Sequence, residues 1–455
     1  MLKSPSIVVA GASGYIGKEL ILRLLEKFPE ANIIALSRSQ QHSDDQRVQW
    51  KACDLFSLQS LEQALPSRID YAFYLVHSMG PTAHLDQGSF ADYDLILADN
   101  FSRSLKNKNV KQLIYLGGLI PESKNVSLHL QSRLEVEETF KQYALPSTIF
   151  RAGLILGEAG SSFQILIKLV KRLPLMVCPR WTQNLTTPVD LNTVLKSLTI
   201  ATGDLARVGK TYDLAGCPPL TYMEMMNLTA QHMGLRRLFL RVPFFTPTLS
   251  RLWVSLITNS SRDLVYPLIE SLEHPMVARD SHVFTEGGPV RSYGELLENA
   301  CCKAKKGSFF VRFRAKRKTV RSVQRLPLPA GKDAEWIKQQ YIEWLPRFLS
   351  PLIVVKQKEN LIKFSLLGSP ISFLELSFSE ERSSSDRQLL HVRSGLLAAK
   401  NNRGRLEFRV VLNRRFVMAA IHDFQPSLPW YIYQVSQARL HLLVMNAFAR
   451  HLAKF

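Results

Sequence analysis

The sequence predicts a doubly wound parallel α/β domain with a small substrate-side lobe, followed by an α+β module in which an antiparallel sheet wraps a long helix. Three observations lead there. Near-continuous apolar runs alternate with helical patterns up to about residue 155. A glycine-punctuated loop, GxxGxxG at Gly11, Gly14 and Gly17, joins the first run to the first helical pattern. From residue 351 the pattern switches to short strands separated by turns.

The apolar runs are SIVVAGA (6–12), NIIALSR (32–38), DYAFYLVHS (70–78), KQLIYLGGL (111–119) and PSTIFRAGLILG (146–157). Strands that are apolar throughout, rather than alternately, are buried on both faces, as in a parallel sheet. Helical patterns at 17–27, 58–65 and 92–107 lie between them, which is the alternation of a doubly wound domain. Residues 158 to about 300 mix strand–helix units with apolar helices broken by prolines and read as the lobe, completing a domain over 1–300. Residues 301–325 include KAKKGSFFVRFRAKRKTVRSVQR, ten basic residues without an acidic one, and read as a linker. LPLPAG opens a further domain over 326–455. Its runs PLIVVKQ, NLIKFSLLG, ISFLELSFS, QLLHVRSG, RLEFRVVL and FVMAAIHDF read as an antiparallel sheet. The terminal run SLPWYIYQVSQARLHLLVMNAFARHLAK is apolar on most faces and needs a surface to grip it. Trp430, Tyr431, Tyr433, Leu440, Leu443, Met445 and Phe448 are candidates to line a cavity there, against plain core packing.

The glycine loop carries the first functional expectation. Gly11 permits the tight turn, Gly14 lets backbone approach a pyrophosphate, and Gly17 allows close helix–sheet packing. The strand–turn–helix context makes Gly11, Ser13, Gly14, Tyr15, Ile16 and Gly17 candidate dinucleotide contacts, the alternative being a structural turn without ligand. The second strand ends in Ser37 and Arg38, where an NAD site places an acidic residue. A guanidinium there suits a 2′-phosphate, so NADP(H) is expected over NAD(H), unless Arg38 merely snorkels at a strand end. Asp54 and Leu55 follow a third short strand on the adenine side. Val76, His77 and Ser78 end the fourth strand beside the cofactor, with His77 in a binding rather than a catalytic role.

The chain has 455 residues and a net charge of +20. Residues 1–299 hold 30 basic against 28 acidic side chains; residues 300–455 hold 28 against 10. The basic half is expected either to attract anions or simply to be a solvated surface. Five cysteines show no CxxC spacing and no paired framework, which fits a reducing cytoplasm; no metal site is expected. The early first strand leaves no room for a signal peptide, and no uncharged apolar run reaches membrane-spanning length.

The segments GASGYIG, YLVHSMG, KQLIYLGGL, RAGLILGEAGSSF, LPLMVCPRW, TTPVDL and YDLAGCPPLTYMEMM resemble, in order, the atypical short-chain dehydrogenase/reductase superfamily. The resemblance is to its NmrA-like NAD(P)-binding family of the YbjT type. LPLPAGKDAEWIKQQYIEWLPRFLSPLIVV and the remainder of the chain resemble that family's C-terminal DUF2867 domain. The resemblance implies a Rossmann-like fold, NADP(H) binding, and cofactor contacts at Gly117 and at Arg151, whose segment lies against the nicotinamide in relatives. It implies a serine and a Tyr-x-x-x-Lys pair in an active reductase. Here the serine position reads Gly117-Gly118, and the helix SLHLQSRLEVEETF has neither tyrosine nor lysine. His129 and Arg133 stand four apart on one helix face instead. Two readings stay open: His129 is an acid and Arg133 holds ribose or phosphate, in reduction of a hydrophobic carbonyl or quinone; or the site binds NADP(H) without turnover and reports to a protein partner. Arg180 and Trp181 lie toward the substrate side, Trp181 as core packing or lining.

The sheet-and-helix module resembles helix-grip folds that enclose hydrophobic ligands. With the basic stretch beside it, peripheral contact with the inner face of an anionic membrane and uptake of a lipid or quinone are expected. Nucleic acid is not an expected partner. Only Phe309, Phe310 and Phe313 interleave with the basic run, and no nucleic-acid-binding signature appears.

Overall fold

The computed structural model describes residues 4–78, 85–123, 126–242, 247–301, 319–351, 353–366, 372–399 and 403–455. The chain divides into two compact units, one of residues 1–80 with 97–311, the other of residues 81–96 with 312–455. In chain order the elements up to the lobe are β1 (Ser6–Ala10), α1 (Tyr15–Lys27), β2 (Asn32–Ser37), β3 (Val48–Ala52), α2 (Leu58–Ala64), β4 (Tyr71–Tyr74), β5 (Leu85–Gln87), α3 (Phe90–Leu105), β6 (Gln112–Gly118), α4 (Leu128–Gln142) and β7 (Ser147–Ala152). The lobe follows with β8 (Ile155–Leu156), α5 (Ser161–Arg172), β9 (Leu175–Pro179), β10 (Leu185–Thr186), β11 (Val189–Asp190), α6 (Leu191–Ala201), β12 (Thr211–Leu214), β13 (Leu220–Thr221), α7 (Tyr222–His232), β14 (Leu238–Val242), α8 (Pro247–Thr258), α9 (Arg262–Ser271) and α10 (Tyr293–Cys301).

Seven strands form a parallel sheet in the order β12-β7-β6-β4-β1-β2-β3. Alternate side chains explain the apolar runs. Ile7 and Val9 enter a core with α1 and α6, while Val8 and Ala10 enter one on the opposite face with residues of α2, α3 and α4. The central strands β1, β4, β6 and β7 are therefore anchored from both sides, while the edge strand β3 is largely exposed. α6 starts at a conventional cap: Asp190 accepts from the Thr193 amide at 3.0 Å. The lobe has its own core of α5, α7, α8, α9 and α10 residues.

The second unit holds β15 (Val320–Pro327), α11 (Ala334–Phe348), β16 (Ile353–Lys358), β17 (Leu361–Leu366), β18 (Ser372–Phe378), β19 (Arg387–Ser394), β20 (Arg405–Val411), β21 (Phe416–Phe424), α12 (Trp430–Val435) and α13 (Gln437–Leu452). Its sheet runs β16-β17-β18-β19-β20-β21-β15-β5, antiparallel except where β15 meets β5. One face carries α11 and α13 over Leu390, Leu406, Phe408 and Val417. The opposite face buries an ionic cluster, with Glu407 bonded by Arg387 at 2.7 Å, by Arg409, and by His422 at 3.1 Å.

Three expectations need correction here. β15 starts inside the segment expected to be a linker (301–325), because Val320, Val323 and Leu326 are buried and pair along β21; residues 302–318 lie outside the described residues. The terminal helix is two helices, broken at Ser436 (φ −116°, ψ −88°). The proposed cavity lining divides: Tyr433, Met445 and Phe448 are core, while Tyr431, Leu440 and Leu443 face solvent. A helix lying on one sheet face buries one stripe only.

Candidate functional site

The loop between β1 and α1 is shaped by steric demands that only glycine meets. Gly11 has φ +86°, and a Cβ there would lie 2.7 Å from the Leu75 carbonyl oxygen at the end of β4. A Cβ on Gly17 would lie 2.4 Å from the Gly11 oxygen, so α1 can abut the turn only as it does. The Gly14 amide donates to the Gly11 carbonyl at 3.0 Å, and Gly14 caps the helix. Ser13 and Gly14 stand exposed in front of the α1 N-terminus, whose first turn carries no acidic side chain. This is a cradle for an anion. The Tyr15 ring turns from the cradle onto Gly157, where a Cβ would lie 2.9 Å from it, and burial pushes its phenol pKa up. Ile16 packs on the core, so both residues face the cradle with backbone only.

The remaining expected contacts ring this loop from the ends of parallel strands. Ser37 is buried, its carbonyl accepting from the Cys53 amide at 2.7 Å. Arg38, one residue on, is exposed. The Asp54 side chain accepts from the Phe56 amide at 3.2 Å, and the Leu55 carbonyl is tied to Asn100 at 2.8 Å. Val76, His77 and Ser78 follow β4 and are half-buried. Gly117 lies one residue before the end of β6, with space above it closed by the Tyr115 ring at 2.9 Å from a would-be Cβ.

α4 supplies the other wall. His129, Arg133 and Glu137 recur every four residues on one face of this helix. His129 is buried; its Nδ1 lies 2.8 Å from Ser271 Oγ, and its ring is 5.2 Å from that of His77. Ser271 Oγ donates to the Pro267 carbonyl at 2.9 Å and lies 3.1 Å from Ser127 Oγ. A hydroxyl whose proton goes to Pro267 has a lone pair left for His129 Nδ1, the arrangement that suits the Nδ1–H tautomer. The Arg133 stem passes 3.8 Å from the Cβ position of Gly118, and its Nε is buried with no hydrogen-bond partner among the described residues. Arg151, expected at the nicotinamide, grips Glu137 through Nε and Nη2 at 2.9 and 2.7 Å, tying β7 to α4. Glu137 and Ser271 escaped the sequence reading. The first sat on the right helix face without a reason to single it out; the second is 142 residues away from His129.

A cavity of about 160 Å³ opens directly on Gly118, His129, Ala152 and Gly153. Its far walls are apolar side chains of α5, α7, α8 and α9, with Trp181 and Tyr222. Trp181 is held by a bond from Nε1 to Ser250 Oγ at 3.2 Å and stands edge-on to Tyr222. It therefore both packs and lines; Arg180 beside it is exposed. A wider cleft of about 1110 Å³ lies between Ile120–Ser123, Cys217–Pro219 and Pro275–Ser281, but neither the glycine loop nor His129 borders it. Among the described residues no group of three His, Cys, Asp or Glu is placed to hold a metal ion.

Residues 7–158 match the model of the NAD dependent epimerase/dehydratase family. The matched span covers the glycine loop, α4 and the entry to the cavity. Among curated proteins, the auxiliary protein GraX of Staphylococcus aureus is 33% identical over 114 residues, 25% of this chain and 36% of GraX, so the chain spans about a third of that relative. Among solved structures, the Citrobacter sp. triphenylmethane reductase complexed with NADP(H) superposes with TM-score 0.52 at 17% identity, over 65% of this chain and 99% of that one. The NADPH-dependent quinone oxidoreductase from Escherichia coli, complexed with NADPH, gives 0.51 at 14% identity, with 65% and 99% covered. A nucleoside-diphosphate-sugar epimerase from S. aureus gives 0.52 at 12%, with 65% and 100% covered. The first unit thus has the fold of nicotinamide-dependent reductases and epimerases.

Proposed function

We propose that the first unit binds NADP(H) and reduces a small apolar carbonyl or quinone held in the cavity beside His129. The observation that carries this reading is the juxtaposition of that apolar cavity with His129 and Gly118, at the end of the sheet where the glycine cradle lies. The residues present fit the cofactor: Gly11, Gly14 and Gly17 shape the turn, Ser13 and the α1 N-terminus meet the pyrophosphate, and exposed Arg38 meets the 2′-phosphate. Asp54, Leu55 and residues 76–78 border the adenine and ribose side, and Arg151, held by Glu137, keeps α4 fixed against β7. When bound, the reduced cofactor supplies a hydride. Two of the structural relatives being complexes with NADP(H) and NADPH supports the 2′-phosphorylated form.

Within the chain, Ser271 accepts from Nδ1–H of His129, so the ring acts as an imidazolium acid: Nε2 gives its proton to the substrate oxygen, and the neutral Nδ1–H ring left behind takes up another proton when product leaves. Arg133, its stem laid across Gly118, stabilises negative charge on the substrate oxygen or a cofactor hydroxyl without shedding a proton. The apolar walls exclude water and select for apolar substrates. The test is NADPH oxidation by the purified protein against a panel of quinones and enals, beside NADPH and NADP+ affinities. Turnover that falls at least about a hundredfold in His129→Ala, with NADPH affinity kept, is the expected result. Tight binding of both nucleotides with no turnover on any member would sink the reductase reading, and full turnover by His129→Ala would sink the role of His129.

A further inference from the structure

We propose that the lobe docks on an anionic lipid bilayer through a ridge of leucines presented by β9, β14 and α8. β9 and β14 form a two-stranded parallel ribbon in which Leu175 pairs directly with Leu238 and Leu240 comes two residues on, so the three share one side. Met176 and Cys178, on the other side, are buried. On α8, Leu252 and Leu256 stand four apart, while Val254 and Thr258 are fully buried. The five leucines are 45% to 81% exposed. α5 ties the pieces together: the Arg172 guanidinium at its end donates to the Ile257 carbonyl of α8, and Arg237 beside β14 donates to the Val170 carbonyl at 2.8 Å. An apolar patch of this kind on a protein surface marks a place where something binds.

Charge decides what binds. Residues 159–189 and 225–262, which supply the ribbon and α8, hold nine basic side chains and no acidic one. Lys171, Arg172, Arg236 and Arg241 are exposed around the leucines. Glu270, ion-paired with Arg251 at 3.4 Å, is the acidic group facing α8 from α9. Protruding aliphatic side chains flanked by the exposed Lys171, Arg172, Arg236 and Arg241 match the interface of a bilayer, with acyl chains beneath anionic headgroups. A protein partner of ordinary mixed charge offers no such layering. The ridge shares one element with the cavity: α8 turns Leu252 and Leu256 outward and Val254 into the cavity, beside Ile165, Leu166 and Leu169 of α5. A substrate dissolved in the bilayer would then reach His129 without crossing water. That last step rests on the reductase reading; the docking does not.

The experiment is co-sedimentation of the full chain with vesicles of phosphatidylglycerol and phosphatidylcholine, and with phosphatidylcholine alone. It uses the wild type, Leu238→Ser/Leu256→Ser and Arg236→Gln/Arg241→Gln. The leucine positions are solvent-exposed, and unchanged melting temperature and NADPH titration verify the fold. We expect partitioning on the anionic vesicles only, loss at about 0.5 M NaCl, and weakening of about tenfold in each double variant. Wild type that ignores vesicles overturns the proposal. So does a leucine variant that partitions like wild type, which places the contact elsewhere on the chain. Self-association of wild type that the leucine variant abolishes, with vesicles irrelevant, assigns the ridge to a second copy and also overturns it. Activity separates the two readings: the leucine variant should lose turnover of a vesicle-dissolved long-chain quinone but keep that of a water-soluble short one. Docking without turnover of either quinone by any form leaves the ridge assigned to lipid and removes the reductase reading alone.

Discussion

At the scale of single residues, the cradle is specified by what side chains it cannot accept. Gly11 and Gly17 are fixed by backbone oxygens 2.7 and 2.4 Å from where a Cβ would lie, so their identity follows from close approach of β4 and of the turn itself. Arg38 is different in kind, since nothing in the fold requires it. It stands exposed one residue beyond buried Ser37, where β2 ends. Its removal should therefore leave the fold untouched and change only nucleotide choice. Arg38→Ser is expected to weaken NADPH binding about tenfold, the worth of one exposed charge-assisted contact, while NADH affinity stays the same. Fluorescence titration with both nucleotides measures this, and an equal effect on the two would remove the 2′-phosphate contact.

At the scale of the element, α4 works as a single lever. Its caps are ordinary, with Ser127 accepting from the Leu130 amide at 3.4 Å, but its inward face carries His129, Arg133 and Glu137 in succession. Glu137 and Arg151 are both nearly fully buried, and two hydrogen bonds join them. Breaking such a pair strands a charge in the interior. Glu137→Gln should cost the first unit about 3 kcal/mol and lower its melting temperature by about 6 °C or more. Pairing it with Arg151→Met should recover most of that loss, because no charge is then left alone. A double variant as unstable as the single one would show that packing, not charge, ties α4 to β7. Calorimetry on the three proteins decides.

At the scale of the whole molecule, what could be read in advance followed from how local the cause was. Val8, Ile34, Ala72, Leu113 and Ile149 announced a two-sided sheet because each strand's own composition records its burial. β5 left no mark, since three residues paired in parallel with β15, more than 230 positions later, carry no period. The break at Ser436 and the division of the terminal aromatics between core and solvent depend on which stripe the sheet covers, which the helix alone does not encode. The site split the same way: the cradle was local and legible, while the Ser271 contact and the cavity required distant segments to meet. The division into two units also separates their responses to acid. In the second unit burial pushes the imidazoles of His391, His422 and His441 down, His441 to about 4 from an ordinary 6.5. A histidine depressed in the folded state resists protonation there but not in the unfolded chain. Its stabilising effect is therefore complete above pH 6.5 and drains away as the pH falls toward 4. Beside His422, the Arg409 and Arg387 guanidinium groups hold the Glu407 carboxyl well below its usual range despite its burial, so its contribution is lost only at still lower pH. The second unit should thus loosen between pH 6.5 and 4. Hydrogen exchange read peptide by peptide at pH 7, 5.5 and 4.5, corrected for intrinsic rates, should show β19 to β21 and α13 losing protection before β1, β4 and β6. Equal loss in both sheets would mean that these three imidazoles do not set the acid limit of this fold.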